Sequence, residues 1–224
     1  MPAYALEGFI PVVDPRAFVH PLAVLIGDVC VAEGCYVGPG ASLRGDFGRI
    51  ILGRGSNVQD NCVLHSFPGK DTHLAEDAHI GHGAVLHGCT VERGALIGIL
   101  AVIMDEVVVG EEAFVGAASF VRAGFVVPPR TLVTGVPARV VRELTREELA
   151  WKAVGTREYQ ELTKRCLESL REVAPLAALE PGRPVRPGSA TVPLHTARDK
   201  RGGAVGVVSR RRAGPRKADR RDRD

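Results

Sequence analysis

The chain has 224 residues, of which 45% are hydrophobic and 25% charged, with a formal net charge of +3. This length and composition suit one mid-sized core with an extension, and they argue against two domains. No apolar stretch approaches the roughly 20 residues that span a bilayer, and the start at residues 1–4 lacks the basic and then apolar run of a signal peptide. Five cysteines without a C-x-x-C pair predict a reducing, cytoplasmic setting and no membrane partner.

Residues 1–16 are predicted to form a lead-in strand and cap, and a repeat of six residues follows them. Branched aliphatic residues recur at this spacing, with a few shifts of phase, at Val19, Leu25, Val31, Val37, Leu43, Leu52, Val58, Leu64, Ile80, Leu86, Val91, Ile97, Ile103, Val109, Val115, Val121, Val127 and Val133. A hexapeptide period indicates a β-helix, in which three hexapeptides make one triangular coil and the aliphatic residue points inward. We expect an all-β, left-handed parallel β-helix over residues 17–138, an exception to the usual right-handed crossover.

Residues 139–180 are predicted to form a C-terminal α-helical segment. Thr145 and Glu148 have the spacing of a capping box, which marks the start of a helix. We expect a first helical piece to run through Val154, a second to run from Thr156 to about Val173, and both to pack along the outside of the β-helix.

Residues 181–224 are predicted to form a disordered tail rich in arginine and proline. Residues 201–224 contain nine Arg or Lys and three Asp, so the positive charge of the chain belongs to this tail. Such a composition buries too little apolar area to order itself. One interpretation of the tail is a contact with nucleic acid or another anionic surface, and the alternative is a solvated extension. Because the body has no basic motif, we do not expect nucleic acid as a partner.

Three histidines in the middle of the repeat are candidate metal ligands. His65 follows the inward Leu64 and His87 follows the inward Leu86, so both occupy one slot of the repeat on adjacent coils. Strand spacing then places them about 4.8 Å apart, which suits two ligands of one tetrahedral metal ion. A set of three imidazoles leaves the fourth position open for water.

His82 lies one face earlier on the same coil as His87, so it cannot easily reach the other two histidines within one chain. A neighbouring β-helix can present it, if three copies pack around a threefold axis. The sequence therefore predicts a homotrimer with three metal sites at its subunit interfaces. The alternative is that the three histidines are surface residues that stabilise turns.

The chain resembles the γ-class carbonic anhydrases. Within that class it is similar to a branch of phenylacetic acid degradation and carnitine-operon proteins. The motifs that carry the resemblance lie at residues 45–51, 80–89, 149–152 and 155–160, and the similarity runs from about residue 3 to residue 184. The resemblance implies a β-helical trimer that binds Zn²⁺, or else Fe²⁺ or Co²⁺, through His65 and His87 of one subunit and His82 of the next.

The resemblance also implies roles for neighbouring polar residues. Gln59 would hydrogen-bond the metal-bound water, and Asn57 would line the substrate pocket. Arg44 and Asp46 would form an ion pair across the subunit interface, supported by Asp60. A purely structural interface pair is the alternative for Arg44 and Asp46.

Three functions follow as expectations. The first is a metal-dependent enzyme that hydrolyses acyl-CoA thioesters or hydrates CO2 to bicarbonate. Phe47 stands where active γ-class enzymes carry a proton-shuttling glutamate, which puts rapid CO2 hydration in doubt. The second is a hexapeptide-repeat acyltransferase that uses CoA, although such enzymes usually rely on a lone catalytic histidine. The third is a non-catalytic trimeric scaffold or metal reserve.

Overall fold

The computed structural model describes residues 1–184, so the predicted tail beyond residue 184 lies outside the described part. The chain winds into a left-handed parallel β-helix of about seven turns with one C-terminal helix. This confirms the fold class predicted from the hexapeptide period.

Twenty strands, most of them two or three residues long, and one helix make up the described chain. The strands are β1 (Ala3–Tyr4), β2 (Val12–Val13), β3 (Phe18–Val19), β4 (Val24–Val31), β5 (Tyr36–Val37), β6 (Ser42–Leu52), β7 (Asn57–Val58), β8 (Val63–His65), β9 (Thr72–Leu74), β10 (His79–Ile80), β11 (Val85–His87), β12 (Thr90–Val91), β13 (Leu96–Ile97), β14 (Val102–Ile103), β15 (Val108–Val109), β16 (Phe114–Val115), β17 (Phe120–Val121), β18 (Val126–Val127), β19 (Thr131–Gly135) and β20 (Ala138–Glu143). The helix is α1 (Arg146–Ser169).

Parallel pairing between successive coils builds three flat faces. Face 1 contains β8, β11, β14 and β17, and face 2 contains β9, β12, β15 and β18. The long strands β4 and β6 belong to both of these faces, because they continue around the corner between them. Face 3 contains β3, β5, β7, β10, β13, β16 and β19, and β20 closes its end by antiparallel pairing.

The interior is filled by the aliphatic residues of the repeat. Every one from Leu25 to Val133 is at most 3% exposed. Alanines two residues before many of them are also buried, including Ala78, Ala84 and Ala95. Small residues at the corners let adjacent coils approach closely: a Cβ atom added to Gly81 would lie 2.8 Å from the backbone nitrogen of Ile99. The prism is thus a stack of apolar layers with its polar chemistry on the outside.

The helix α1 differs from the prediction in two respects. It is one continuous helix that begins after the predicted capping box at Thr145 and ends at Ser169, before Pro175 is reached. The predicted break near residue 155 is wrong because Gly155 faces open space and is tolerated inside the helix. Residues 139–143, placed at the start of the helical segment from sequence, belong to strand β20 instead.

The helix packs on face 3 against β3, β5 and β7, through hydrogen bonds from its buried side to the coils. Lys152 Nζ donates to the backbone oxygen of Asp77 at 2.7 Å, and Thr163 Oγ1 donates to the backbone oxygen of Cys35 at 3.5 Å. Within residues 1–184, no helix has the length and apolar character needed to cross a lipid bilayer.

Candidate metal centre

His65 and His87 are neighbours on face 1. Strands β8 and β11 pair in parallel, and their register places His87 directly beside His65. Leu64 and Leu86 point into the core and are fully buried, so the alternation of a strand directs the next residue of each outward. The repeat phase therefore brings two imidazoles to one point on the surface of the prism.

The two rings face each other through one nitrogen each. His65 Nδ1 and His87 Nε2 lie 3.1 Å apart. The other nitrogen of each ring contacts a carboxylate, with His65 Nε2 2.8 Å from Asp46 Oδ1 and His87 Nδ1 2.6 Å from Asp105 Oδ1. A neutral imidazole carries one ring hydrogen, so hydrogen bonds to both carboxylates leave two lone pairs facing each other.

These lone pairs fit a cation. Tetrahedral Zn²⁺ with Zn–N distances of about 2.0–2.1 Å holds two ligand nitrogens about 3.3 Å apart, close to the observed 3.1 Å. Histidine ligands commonly donate their second nitrogen to a carboxylate, which fixes the tautomer and the orientation of the ring. Asp46 and Asp105 occupy that position, so the residues present match the chemistry of a divalent metal site.

Asp46 also binds Arg44, at 2.7 Å between Arg44 Nη1 and Asp46 Oδ2. Within the single chain the pair forms between alternate residues of β6, and the ion pair across a subunit interface that the resemblance implies stays a prediction. Partial burial raises the pKa of the Asp46 carboxyl, but the hydrogen bond from His65 and the charge of Arg44 outweigh it, so the pKa lies below its ordinary value of 3.8. Asp46 is therefore a carboxylate when it orients His65.

His82 lies elsewhere, at the corner between face 3 and face 1. Its Nδ1 is 2.7 Å from Asp60 Oδ2, and its side chain is 44% exposed. Within the described residues, no group of three or more His, Cys, Asp or Glu side chains in one chain is placed to hold a metal ion. The structure thus brings together His65 and His87 and leaves His82 facing outward with Asp60.

Asn57 and Gln59 lie on face 3 beneath α1, in contact with a third residue, His79. Gln59 Nε2 is 3.1 Å from Asn57 Oδ1 and 2.7 Å from His79 Nε2, and Asn57 Nδ2 is 3.2 Å from His79 Nδ1. The ring of Tyr159 from α1 meets His79 edge-on, with centroids 5.3 Å apart. Gln59 is 3% exposed, so its amide is held by this cluster.

Sequence reasoning did not assign a role to Asp105, His79 or Tyr159. Asp105 follows His87 by 18 residues, one coil of three hexapeptides, and this spacing was the available signal. His79 precedes the inward Ile80, as Asn57 precedes the inward Val58, so its pairing with β7 was readable from the repeat. Nothing in the sequence marks the contact of Tyr159, because it depends on where α1 docks.

No protein-family model matches the chain, but curated proteins and solved structures do. The carnitine operon protein CaiE of Citrobacter koseri is 57% identical over 192 residues, which cover 86% of this chain and 98% of that protein. A second CaiE, from Salmonella newport, is 55% identical over 86% of this chain and 97% of its own length.

Two solved structures share the fold. One is described as a putative acetyltransferase from Bacillus cereus, with a TM-score of 0.73 and 36% identity over 74% of this chain and 96% of that one. The other is a hexapeptide transferase family protein from Anaplasma phagocytophilum, with a TM-score of 0.70 and 34% identity over 73% of this chain and 96% of that one.

The fold and the similar structures define the class, a hexapeptide-repeat β-helix protein. Within that class, the extent of the match to both CaiE proteins is decisive. The chain belongs to the family of the carnitine operon protein CaiE.

Proposed function

We propose that the protein is a trimeric, metal-dependent enzyme whose site is formed by His65 and His87 of one subunit and His82 of a neighbouring subunit. The observation that carries the proposal is the pair of facing ring nitrogens, His65 Nδ1 and His87 Nε2, 3.1 Å apart, each on a ring whose other nitrogen meets a carboxylate. The exposed position of His82 on a different corner supports its donation to a second copy of the chain. Zn²⁺ is the first choice of metal, with Fe²⁺ and Co²⁺ as alternatives.

A divalent cation bound there would lower the pKa of a coordinated water to about 7 and supply a nucleophile at neutral pH. The chain contributes the arrangement around it. Asp46 and Asp105 hold the two imidazoles in their ligand tautomers, and Arg44 balances the charge of Asp46. Gln59 and Asn57 would supply amide groups that orient the nucleophile and line the substrate pocket, the roles that the resemblance implies for them.

The proposed substrate is an acyl-CoA thioester, with CO2 or bicarbonate as the slower one. Phe47 lies beside His65, with ring centroids 5.3 Å apart, and is 56% exposed. It accepts no proton, so it cannot carry protons from the site at the rate that fast CO2 hydration requires. The resemblance to the phenylacetic acid degradation protein PaaY supports thioester hydrolysis. The coenzyme A moiety of such a substrate would also contribute binding energy away from the reacting carbonyl.

Acyl transfer to an amine or hydroxyl acceptor is the second candidate. The exposed His82–Asp60 pair, at 2.7 Å, favours it because a general base needs a histidine oriented by a carboxylate. The names of the two similar solved structures point the same way, although fold alone does not define an activity. A trimeric metal-binding scaffold without turnover is the third outcome.

One preparation distinguishes these functions. Protein purified without chelator is analysed for metal and assayed for CO2 hydration, for hydrolysis of a panel of acyl-CoA thioesters and for transfer from acetyl-CoA to amine acceptors. We expect about one divalent ion per chain and thioester hydrolysis that chelator abolishes. Metal-independent transfer identifies the acyltransferase, fast CO2 turnover without thioester cleavage identifies a carbonic anhydrase, and metal without any turnover identifies the scaffold.

A mixed-subunit experiment tests the shared site directly. His82→Ala chains mixed with His65→Ala chains should regain part of the metal, because an intact site then takes its ligands from two different mutants. The matched control mixes His65→Ala with His87→Ala chains. These two ligands come from the same subunit, so no mixture should restore a site. Equal recovery in both mixtures, or none in either, contradicts the arrangement.

A further inference from the structure

His79 forms a closed ring of contacts with the two amide side chains of the candidate site. Gln59 places one amide atom against both His79 Nε2, at 2.7 Å, and Asn57, at 3.1 Å. Asn57 uses its other amide atom to contact His79 Nδ1 at 3.2 Å. Three side chains therefore share three contacts, and each contact needs one hydrogen between its two atoms.

The hydrogens in this ring can be counted. If Gln59 presents its nitrogen, Asn57 must present oxygen to Gln59 and nitrogen to His79, and both ring nitrogens must accept. If both amides are turned over, both ring nitrogens must donate. The three contacts are thus complete with no ring hydrogen or with two, whereas a neutral imidazole has one. A neutral His79 leaves one contact of the three unsatisfied.

His79 is neutral in the folded chain at physiological pH. Burial lowers the pKa of its imidazole to about 3, with smaller contributions from Lys152 and His82. The ring itself contacts the two amides and the aromatic ring of Tyr159. One ring hydrogen is therefore available, and the shortest contact, at 2.7 Å to Gln59, is the one expected to be kept.

We propose that His79 is a positioning residue whose tautomer decides which end of the Gln59 amide is bound within this cluster and which end is turned away from it. With the ring hydrogen on Nδ1, His79 Nε2 accepts from the Gln59 NH2 group, and the Gln59 oxygen then faces outward, in the sense of away from His79. With the hydrogen on Nε2, His79 donates to the Gln59 oxygen and the NH2 group faces outward. The geometry assigns the Nδ1–H tautomer and an outward oxygen.

An outward oxygen has a chemical consequence. A hydrogen-bond acceptor next to the site takes the O–H hydrogen of an attacking water or hydroxide, so that an oxygen lone pair is turned toward the substrate. The kinetic part of this inference rests on the function proposed for Gln59. The tautomer itself is a property of the folded chain and can be tested without any substrate.

The test is ¹⁵N solid-state NMR of the intact protein labelled at histidine, with two variants. His79→Phe removes the His79 signals and so assigns them, and His73→Phe, on face 2, is the matched control for losing a histidine. In the wild type at pH 7 we expect two widely separated ring nitrogen signals of a neutral Nδ1–H imidazole. In Gln59→Glu the residue offers only oxygen, all three contacts are complete with two ring hydrogens, and His79 should appear as an imidazolium.

A wild-type Nε2–H tautomer, a cationic wild-type ring, or a ring that stays neutral in Gln59→Glu would overturn the assignment. In a substrate assay, His79→Phe should lower kcat about tenfold, at the low end of the range found when outer-shell partners of metal ligands are removed. KM and metal content should change little. If no substrate is turned over, the proposed function fails while the NMR result still stands.

Discussion

Lys152 gives the sharpest stability prediction, because it buries a charge between α1 and the prism. The residue is 5% exposed, and its ammonium donates to the backbone oxygen of Asp77 at 2.7 Å. Burial lowers the pKa of Lys152 from 10.5 to about 8, against the opposing pull of Asp77 and Glu112 and with a small contribution from Arg93. At about 1.4 kcal/mol per pKa unit, the charged form costs the folded state about 3 kcal/mol.

The sign of the pH dependence follows from the lowered pKa. Below pH 8 Lys152 is protonated in both states, and the folded state bears the whole cost. Between pH 8 and 10.5 the folded protein releases the proton first while the unfolded chain retains it, so this contribution to stability rises with pH. Above pH 10.5 the cost is gone.

Lys152→Met retains the aliphatic stem and removes the titration. At pH 7 it should stabilise the protein by about 1–2 kcal/mol, which is the relieved cost less the charged hydrogen bond that is lost. Between pH 7 and pH 10 the free energy of unfolding of the wild type should rise by about 2.5 kcal/mol relative to that of Lys152→Met. Denaturant unfolding of both proteins at each pH measures this difference, in which the thiol and tyrosine titrations cancel.

The matched control is Lys164→Met. Lys164 lies on the same helix, exposed and paired with Glu161 at 2.7 Å, and Glu161 raises its pKa. Lys164 stays mostly protonated from pH 7 to 10 in both states, so its effect on stability should vary little. If the difference between wild type and Lys152→Met is equally flat over this range, the ammonium is not paying a burial cost and the reasoning is refuted.

Three further predictions follow from local contacts. Thr145→Ala removes one half of the capping box at the start of α1 and should cost about 1 kcal/mol in denaturant unfolding; an unchanged midpoint would count against the cap. Leu86→Ala empties a fully buried layer and should cost about 2–5 kcal/mol, with a loss below 1 kcal/mol contradicting the packing. Asp105→Asn weakens the support of His87 and should reduce metal affinity about 10–100-fold, measured by chelator competition, whereas Glu106→Gln beside it should leave the affinity unchanged.

The sequence was sufficient for the prism and for one half of the site. A residue such as Leu64 or Leu86 recurs because each coil repeats the same three faces, so fold and register follow from counting. The adjacency of His65 and His87 followed from the same counting, as neighbours of those inward residues. Local interactions, including the Thr145 capping box, were equally accessible because they span only a few residues.

The contacts made by α1 were not accessible in this way. Its buried residues include Glu148, Lys152, Thr156 and Thr163. These residues are polar, so they form no apolar period, because this side of the helix donates hydrogen bonds to backbone oxygens of the coils. The cluster of Gln59 with His79 was missed for a related reason. Each residue fits the repeat singly, and only the paired coils under a docked helix reveal that they share hydrogens.

The loop between β8 and β9 lies beside His65 but does not set the register of the strands that carry His65 and His87. Residues 66–71 leave the corner and return, and their stem is closed by the hydrogen bond from Thr72 Oγ1 to the backbone oxygen of His65 at 2.6 Å. The coil then resumes in register, so that Leu74 pairs with Leu52. Doubling the length of a flexible loop costs only about 0.6 kcal/mol. The rim around His65 can therefore be lengthened or shortened at little cost to stability, while the strands that carry the two imidazoles keep their register.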